Sequence, residues 1–353
     1  MKTIVAIGVY SMINRSTIKD IAKIAGVSDS TVSRALSDYP HVNEEKRKKI
    51  RQIAEELGYY PNIHAKNLRV QKSQDIGLII PEIQNPFYAY VTRGIEDYAN
   101  INGYNLLLCN SDFDPVKEAK YLDLLLSKQI GGLIIFPTML ITKKVPTLKK
   151  RSIPFVFVDF PAYNLHVNCI YADQQYGAYI AVKYLIERGH QNIVYYNYEK
   201  GFVPPGEQME RGYRQALKEF KIKYRKNLVF TLKKTDKKTL YETTYQLLSK
   251  KKALGYTAII CVGDIFALSI YEIAPTLGIK IPENLSVIGY DDTFICPFLN
   301  PPLTSVNQPQ YELGKQVFEL LLREINDPLN WQYQTIRLIP WISERKSVCD
   351  ITI

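Results

Sequence analysis

The sequence predicts a small head of three helices, followed by a larger α/β domain in which parallel sheets form two lobes. Three observations favour this fold class. A chain of 353 residues is too long for one compact core. Apolar residues follow helical spacing as far as residue 57, and from residue 75 short apolar runs alternate with amphipathic helical patterns. Strict alternation of strand and helix is typical of a parallel sheet, and this many units favour two doubly wound lobes.

The head combines three short helical patterns with clear start signals. The first begins after Thr17, an N-cap residue with an acid three positions later, and ends at Gly26. Ser28 is the predicted N-cap of a second helix over residues 29–36, and a third is predicted from Asn43 to residue 57. Because helices this short are unstable alone, their apolar positions are expected to share one miniature core. The result is a three-helix unit of helix-turn-helix type.

Basic residues are concentrated in the head. Residues 1–73 hold 13 Lys and Arg against 7 Asp and Glu, whereas the other 280 residues hold 32 against 28. This asymmetry predicts an anionic partner for the head. DNA suits a helix-turn-helix unit, although charge alone would fit RNA or a membrane surface equally well. The basic run 46–49 could also be a solvated helix face, and the three helices a simple packing domain.

Cysteine usage and hydropathy predict a cytoplasmic protein. The five cysteines are far apart, odd in number and mostly within apolar runs, which is typical of buried free thiols in a reducing compartment. No apolar stretch reaches the roughly 18 residues that span a bilayer. The first ten residues imitate a signal peptide, but their apolar part is short and no small-residue cleavage site follows. A true start near Met12 is the alternative interpretation.

The body shows seven predicted strands and seven predicted helices. The strands are expected at 76–80, 105–109, 132–136, 155–158, 193–196, 258–262 and 286–289. The helices are expected near 86–102, 115–129, 175–188, 208–220, 236–251, 264–277 and 309–326. A ligand is expected between the lobes, where the C-terminal ends of the strands meet.

Two parts of the sequence resemble the lactose-repressor (LacI/GalR) family. Residues 18–36 are similar to its helix-turn-helix signature, D-x-A-x-x-A-x-V-S-x-x-T-V-S-R, and residues 57–69 resemble its hinge segment. In the body, Asn85-Pro86-Phe87-Tyr88, Arg188-Gly189-His190 and the run 286–292 resemble landmarks of its periplasmic-binding-protein-like domain. The resemblance implies a homodimeric transcription regulator, by default a repressor, that binds double-stranded operator DNA and a small effector, most often a carbohydrate. It implies no cofactor and no metal.

The resemblance also suggests domain boundaries. An extension over residues 1–15 precedes the head at 16–61, the hinge with its helix at 62–73, and the effector-binding and dimerisation domain at 74–353. Lobe one is expected at about 74–162 and 304–333, and lobe two at about 163–303 and 334–345.

The resemblance places specific residues of the head against DNA. Arg34 is the leading base reader, because its planar guanidinium can pair bidentately with guanine. The carboxylate of Asp29 can accept a hydrogen bond from a cytosine amine, and Thr17 is expected to contact a phosphate. Leu68 occupies the position from which the family inserts a leucine into a minor-groove step. The predicted DNA-binding residues are Thr17, Ser28, Asp29, Ser30, Thr31, Ser33, Arg34, Asn43, Asn62, Leu68 and Arg69.

The effector site is predicted around two carboxylates. Asp159 and Asp291 occupy positions that in this family commonly accept hydrogen bonds from sugar hydroxyls. Met209 and Gly263 depart from the sugar-binding pattern, which usually has arginine and asparagine there, so the usual bidentate donor is missing unless Arg211 or a lysine reaches in. The predicted effector-binding residues are Phe87, Tyr88, Asp159, Phe160, Met209, Gly263, Asp291 and Gln308.

Three other functions compete with this interpretation. An enzyme is disfavoured because the chain lacks a dinucleotide-binding run, a Walker loop, a nucleophile elbow and any Cys/His cluster, and holds only four histidines. An exported sugar receptor would share the body but would have no use for residues 17–70. A regulator that needs no effector stays open, since the ligand's identity does not follow from the sequence.

Overall fold

A computed structural model describes residues 16–37, 39, 42–59, 73–138, 141–162, 165–199, 204–232 and 236–352. The chain divides into two compact units, residues 1–72 and 73–353. The extension over 1–15 and the predicted hinge helix lie outside the described residues, as do Asn62, Leu68 and Arg69.

The first unit contains the three predicted helices: α1 (Ile18–Ala25), α2 (Asp29–Leu36) and α3 (Glu44–Glu56). Their predicted caps are confirmed, because the side chains of Thr17, Ser28 and Asn43 each accept a backbone N–H in the first turn of the helix that follows. The αL conformation of Gly26 ends α1, at a φ that residues with a side chain rarely adopt. The three helices bury one small core of Ile21, Ala22, Val32, Ala35, Ile50, Ile53 and Ala54.

The second unit alternates strands and helices, as predicted. Its strands are β1 (Asp75–Ile80), β2 (Asn105–Asn110), β3 (Gly132–Ile135), β4 (Phe155–Val158), β5 (Asn168–Ala172), β6 (Ile193–Tyr198), β7 (Val229–Leu232), β8 (Ala258–Cys261), β9 (Ser286–Asp291), β10 (Thr304–Asn307), β11 (Thr335–Leu338) and β12 (Trp341–Ser343). Its helices are α4 (Pro86–Ile101), α5 (Pro115–Ser127), α6 (Val145–Lys150), α7 (Gln174–Glu187), α8 (Pro204–Glu219), α9 (Lys237–Ser249), α10 (Lys251–Leu254), α11 (Asp264–Ile273) and α12 (Gln310–Asn326). No helix in the described ranges is long and apolar enough to cross a membrane.

Two six-stranded sheets define the two lobes. Lobe one has the strand order β11-β5-β4-β3-β1-β2 and lobe two the order β12-β10-β9-β8-β6-β7. The predicted parallel sheets are confirmed, and the edge strand β12 adds one antiparallel pairing, with β10. The strands at the edges, β2, β7, β11 and β12, include three that sequence reasoning missed, because edge strands are short and only half-buried.

The predicted lobe boundaries were wrong at three strands. β5 lies in lobe one although it was assigned to lobe two, β10 lies in lobe two although it was assigned to lobe one, and β11 lies in lobe one although it was assigned to lobe two. The chain therefore crosses between the lobes after β5, after β10 and after β11. The reason is physical: strand pairing across the sheet, which a linear pattern does not contain, decides which lobe a strand joins.

Close helix packing joins the last long helix to lobe one. α12 enters this lobe after β10 and packs on α4, where Gly94 and Gly314 face each other's helix backbone. A Cβ atom on either glycine would overlap a backbone carbonyl of the other helix. The two glycines thus allow the last long helix to seal the apolar face formed by Val91, Ile95, Leu313, Val317 and their neighbours.

A buried carboxyl group links α12 to the sheet of lobe one. Glu324 accepts hydrogen bonds from the Phe155 backbone N–H, at 3.2 Å, and from the Asn168 side chain, at 2.7 Å. The Asn168 carbonyl oxygen in turn accepts from Trp331 Nε1 and the Gln334 backbone. Burial raises the pKa of Glu324 from its ordinary 4.5 to about 7, although both hydrogen bonds oppose the shift.

We predict that Glu324 makes the body less stable as pH rises from about 4.5 to about 7. The folded carboxyl binds its proton more tightly than the unfolded one, so its contribution is fully present below pH 4.5 and is lost as pH rises through 7. Glu324→Gln keeps an oxygen that accepts both bonds, and should reduce the loss of unfolding free energy between pH 5 and pH 8 by about 2 kcal/mol. Urea titrations of both proteins measure this, with exposed Glu272→Gln as the control. An identical pH dependence in wild type and Glu324→Gln contradicts the prediction.

Candidate DNA-reading surface and effector cleft

The start of α2 presents the side chains that were predicted to meet DNA. Ser28, Asp29, Ser30 and Arg34 are exposed, whereas Thr31 and Ser33 are half-buried. Hydroxyl groups cluster at this helix end, since Ser28 Oγ lies 2.9 Å from Ser30 Oγ and 2.8 Å from Thr31 Oγ1. The guanidinium carbon of Arg34 lies 5.9 Å from the ring centre of Tyr39. A free helix N-terminus with exposed polar side chains is suited to an anionic, hydrogen-bonding partner.

Thr17 and Arg47 both have hydrogen-bond partners within the head. Thr17 donates both its backbone N–H and its hydroxyl to Asp20, and these bonds lower the pKa of that carboxyl. A phosphate at Thr17 would therefore have to replace an existing bond. Arg47 is not on the open face with Lys46, because its guanidinium donates to the Tyr39 and Val42 carbonyls and pairs with Glu44 at 2.9 Å. It holds the loop before α3.

A cleft of about 480 Å³, including its part open to solvent, lies between the two lobes of the body. Lobe one contributes the start of α4 and the end of β4, while lobe two contributes the ends of β6, β8 and β9 and the inner face of α8. Two crossing segments complete the wall. The lining residues are Asn85, Phe87, Tyr88, Asp159, Gln174, Asn197, Tyr198, Gly206, Met209, Val262, Gly263, Asp291 and Gln308.

Seven of the eight predicted effector residues line this cleft, and Phe160 does not. The Phe160 ring packs edge-on against Phe157, at a centroid distance of 6.0 Å, beside the apolar cluster on the other face of lobe one. The prediction that Phe160 faces the cleft was wrong. Asp159, the residue before it, adopts a left-handed backbone conformation with φ of 55°, which changes the direction of the Phe160 side chain. Asp291 also has a positive φ, of 103°, so both carboxylates serve as turn formers and as cleft residues.

A chain of amide hydrogen bonds joins the two carboxylates. Gln174 Nε2 donates to Asp159 Oδ1 and to Gln308 Oε1, each at 2.8 Å. Gln308 Nε2 donates to Asp291 Oδ1 at 2.6 Å. The side chain of Gln310 donates to the Asp291 backbone carbonyl. The chain therefore connects the end of β4 in lobe one to the end of β9 in lobe two through two of the crossing segments.

Burial dominates the electrostatics of the cleft. It raises the pKa of Asp159 to about 7, against the smaller opposite effect of the Gln174 bond. The pKa of Asp291 is raised well above its usual range, first by burial and then by the negative charge of Asp264. Asp264 accepts from Ser305 Oγ and the Thr293 backbone N–H, both at 2.7 Å, and so joins β10 to the loop that follows β9. These groups lie in a poorly solvated region that favours their neutral forms.

Both residues that depart from the sugar-binding pattern, Met209 and Gly263, line the cleft. Met209 lies on its wall and is 3% exposed, while a Cβ atom at Gly263 would meet Asp291 Oδ2 at an ordinary contact distance of 3.5 Å. Arg211, the donor that might have compensated, is exposed and does not line the cleft. Among the described lining residues there is no lysine, arginine or histidine.

Sequence reasoning missed six cleft residues. Asn197 and Tyr198 end a predicted strand, Val262 ends another, and Asn85 appeared only as a landmark of the family. Their positions at the C-terminal ends of strands, or at the start of the following helix, were the available signal. Gln174 and Gly206 gave no such signal, because each reaches the cleft only through a chain crossing or helix packing that the linear sequence does not reveal.

Comparison with known proteins identifies both units. Residues 17–62 match the model for bacterial regulatory proteins of the lacI family, and residues 182–348 match that for a periplasmic binding protein-like domain. The transcriptional repressor PurR of Pectobacterium carotovorum is 34% identical over 343 residues, which cover 95% of this chain and 97% of the relative. The regulator RegA of Clostridium saccharobutylicum is 32% identical over 88% of this chain and 93% of its own length.

A solved structure from Enterococcus faecium, a LacI family regulator with bound ribose, is 28% identical and has a TM-score of 0.71 over 79% of this chain and 100% of its own. The extent of these matches, together with the confirmed helix-turn-helix caps and the two-lobed body, shows that the chain is a DNA-binding transcription regulator of the LacI family and not an enzyme.

Proposed function

We propose that this regulator binds a near-palindromic operator as a homodimer, and that a small molecule held between the two lobes changes its operator affinity. The observation that carries the effector proposal is the cleft itself, since residues of both lobes line it and two crossing segments close it. A ligand that touches both lobes binds one lobe arrangement better than another. Its differential affinity for the two arrangements is the free energy available for regulation.

Operator reading is assigned to the start of α2. Arg34 is exposed and lies on the same helix as Ser30 and Asp29, whose side chains are also exposed. This arrangement supports base contacts by Arg34 in the major groove and phosphate contacts by the hydroxyl cluster at Ser28. Asn62, Leu68 and Arg69 belong to the same proposal on the family resemblance alone.

A polyol effector, with a carbohydrate as the leading class, fits the cleft. Carboxylate and amide groups converge there with the rings of Tyr88 and Tyr198, and sugars offer hydroxyls to the first and apolar faces to the second. The ribose complex of the related regulator supports this choice. An effector-independent regulator remains the second candidate, because the amide chain already joins the lobes without a ligand.

Arg34→Ala should relax operator specificity at one base pair and cost roughly 1 to 3 kcal/mol of specific binding, because a bidentate base contact is lost. Thr17→Ala should instead weaken binding to every sequence, since it removes the cap of α1. Fluorescence anisotropy with operator variants distinguishes the two, and circular dichroism melting of the head separates lost capping from lost contacts. Equal losses on specific and non-specific DNA for both variants would refute the assigned base contact.

Operator binding should require two copies and should depend steeply on salt. Each head reads one half-site, and phosphate contacts release counterions, so affinity should fall by about a thousandfold between about 50 and 200 mM salt. Sedimentation at micromolar concentration and footprinting test the dimer. A monomer that protects a single half-site speaks against it.

A cleft effector should lose its effect when either carboxylate is replaced. At a hundred times its dissociation constant, a ligand stabilises the fold by ~2.7 kcal/mol, which a thermal-shift assay detects. Asp159→Asn and Asp291→Asn should each abolish this shift while leaving operator binding intact, whereas exposed Asp123→Asn in lobe one should leave it unchanged. A ligand whose shift survives both cleft substitutions binds elsewhere and contradicts the assignment.

A further inference from the structure

The charge of the cleft is opposite to that of the whole chain. The chain carries 45 Lys and Arg against 35 Asp and Glu. The cleft and the two cavities that adjoin it nevertheless present four carboxylates, those of Glu82, Asp159, Asp264 and Asp291. No basic side chain occurs among the described residues that line these three cavities. A strongly basic protein therefore encloses a space lined by carboxyl groups, whose ionised forms a bound cation would stabilise.

The amide chain satisfies these carboxylates only in part. Gln174 uses both N–H bonds of its amide, one on Asp159 and one on Gln308, so it has no further donor for either carboxylate. Amide donors are neutral and carry no charge that would offset a buried carboxylate. Burial raises the pKa values of Asp159 and Asp291, and for Asp291 the negative charge of Asp264 adds to the effect of burial.

The aromatic lining favours a cation as well. Tyr88 and Tyr198 both line the cleft, and Phe113 lies between them, with ring centres 6.4 Å and 6.2 Å away. Tyr88 also packs edge-on against Phe136, at 5.1 Å. Aromatic rings and carboxylates that line one site are a combination that proteins use to hold organic ammonium groups, because both attract positive charge.

We propose that the effector is a polyol with a protonated amine, such as an amino sugar, whose ammonium group pairs with Asp291 and Asp159 while its hydroxyls meet the amides of Asn85 and Gln308. The inference rests on the proposed function, since it names the ligand class of the same cleft. A ligand that brings a cation stabilises the ionised forms of these carboxyl groups, whereas a neutral ligand does not, and an anionic ligand would oppose their ionisation. Met209 lines the cleft and is apolar, so this part of the wall supplies no cation of its own.

The test compares matched ligands on the full-length protein. D-glucosamine, D-galactosamine and D-mannosamine are each measured by titration calorimetry and thermal shift beside the neutral parent sugar, the N-acetyl derivative and the 6-phosphate. We expect at least one amine to bind about tenfold or more tightly than its parent and its N-acetyl form, with the phosphate weakest. Equal or tighter binding of the parent overturns the inference and indicates a cleft that takes up protons instead. Tight binding of a phosphate also overturns it.

A second variant tests the charge argument inside the cleft. Met209→Arg introduces the missing cation, and should reduce amine binding at least tenfold while neutral sugars bind as well as before or better. Met209→Leu is the matched apolar control and should keep the amine preference, and melting curves show whether both variants fold. An amine preference that survives Met209→Arg in a folded protein contradicts the inference.

The two proposals fail in different ways. If neutral sugars bind in place of amines, and Asp291→Asn abolishes that binding, the effector cleft stands and the amine inference falls. If none of the probes binds, the amine inference is contradicted, and operator binding in a gel-shift assay then decides separately whether the chain regulates DNA without an effector.

Discussion

The hydrogen-bonded chain Asp159–Gln174–Gln308–Asp291 is the interaction on which the arrangement of the body depends. Parallel strands end with their carbonyls and side chains at one edge, so each lobe brings a carboxylate to the same gap. Unpaired carboxylates in such a gap are costly. Two glutamine amides relieve part of that cost, and because they sit on crossing segments, they tie the polar centre of the cleft to the connection between the lobes.

This position explains how ligand binding can reach the rest of the molecule. The chain crosses between lobes after β5, β10 and β11, and the first two crossings carry Gln174 and Gln308. A ligand that takes over a bond from either amide changes the contacts of a crossing segment at the same time. Under the proposed function, a ligand acts on lobe closure through this direct contact, and no long pathway is needed.

In the head, the stability of the short helices depends on the residues that cap them. Side-chain caps at Thr17, Ser28 and Asn43 start all three helices, and Arg47 closes the loop before the third. Seven apolar side chains form the whole core. Because so little surface is buried, each cap contributes a large fraction of the head's unfolding free energy. The exposed face of α2 does not take part in this core and is available for contacts with a partner.

The sequence by itself predicted the head and the alternation of strands and helices, because caps and periodicity are local signals. The family resemblance supplied the seven predicted effector residues that line the cleft. Only the tertiary structure showed to which lobe β5, β10 and β11 belong. It also showed the orientation of Phe160 and the position of Gln174 in the cleft. Each of these depends on strand pairing or on a chain crossing between residues far apart in sequence. The lack of a basic side chain among the described residues that line the cleft belongs to the second group too, since only packing showed that Arg211 lies outside the cleft.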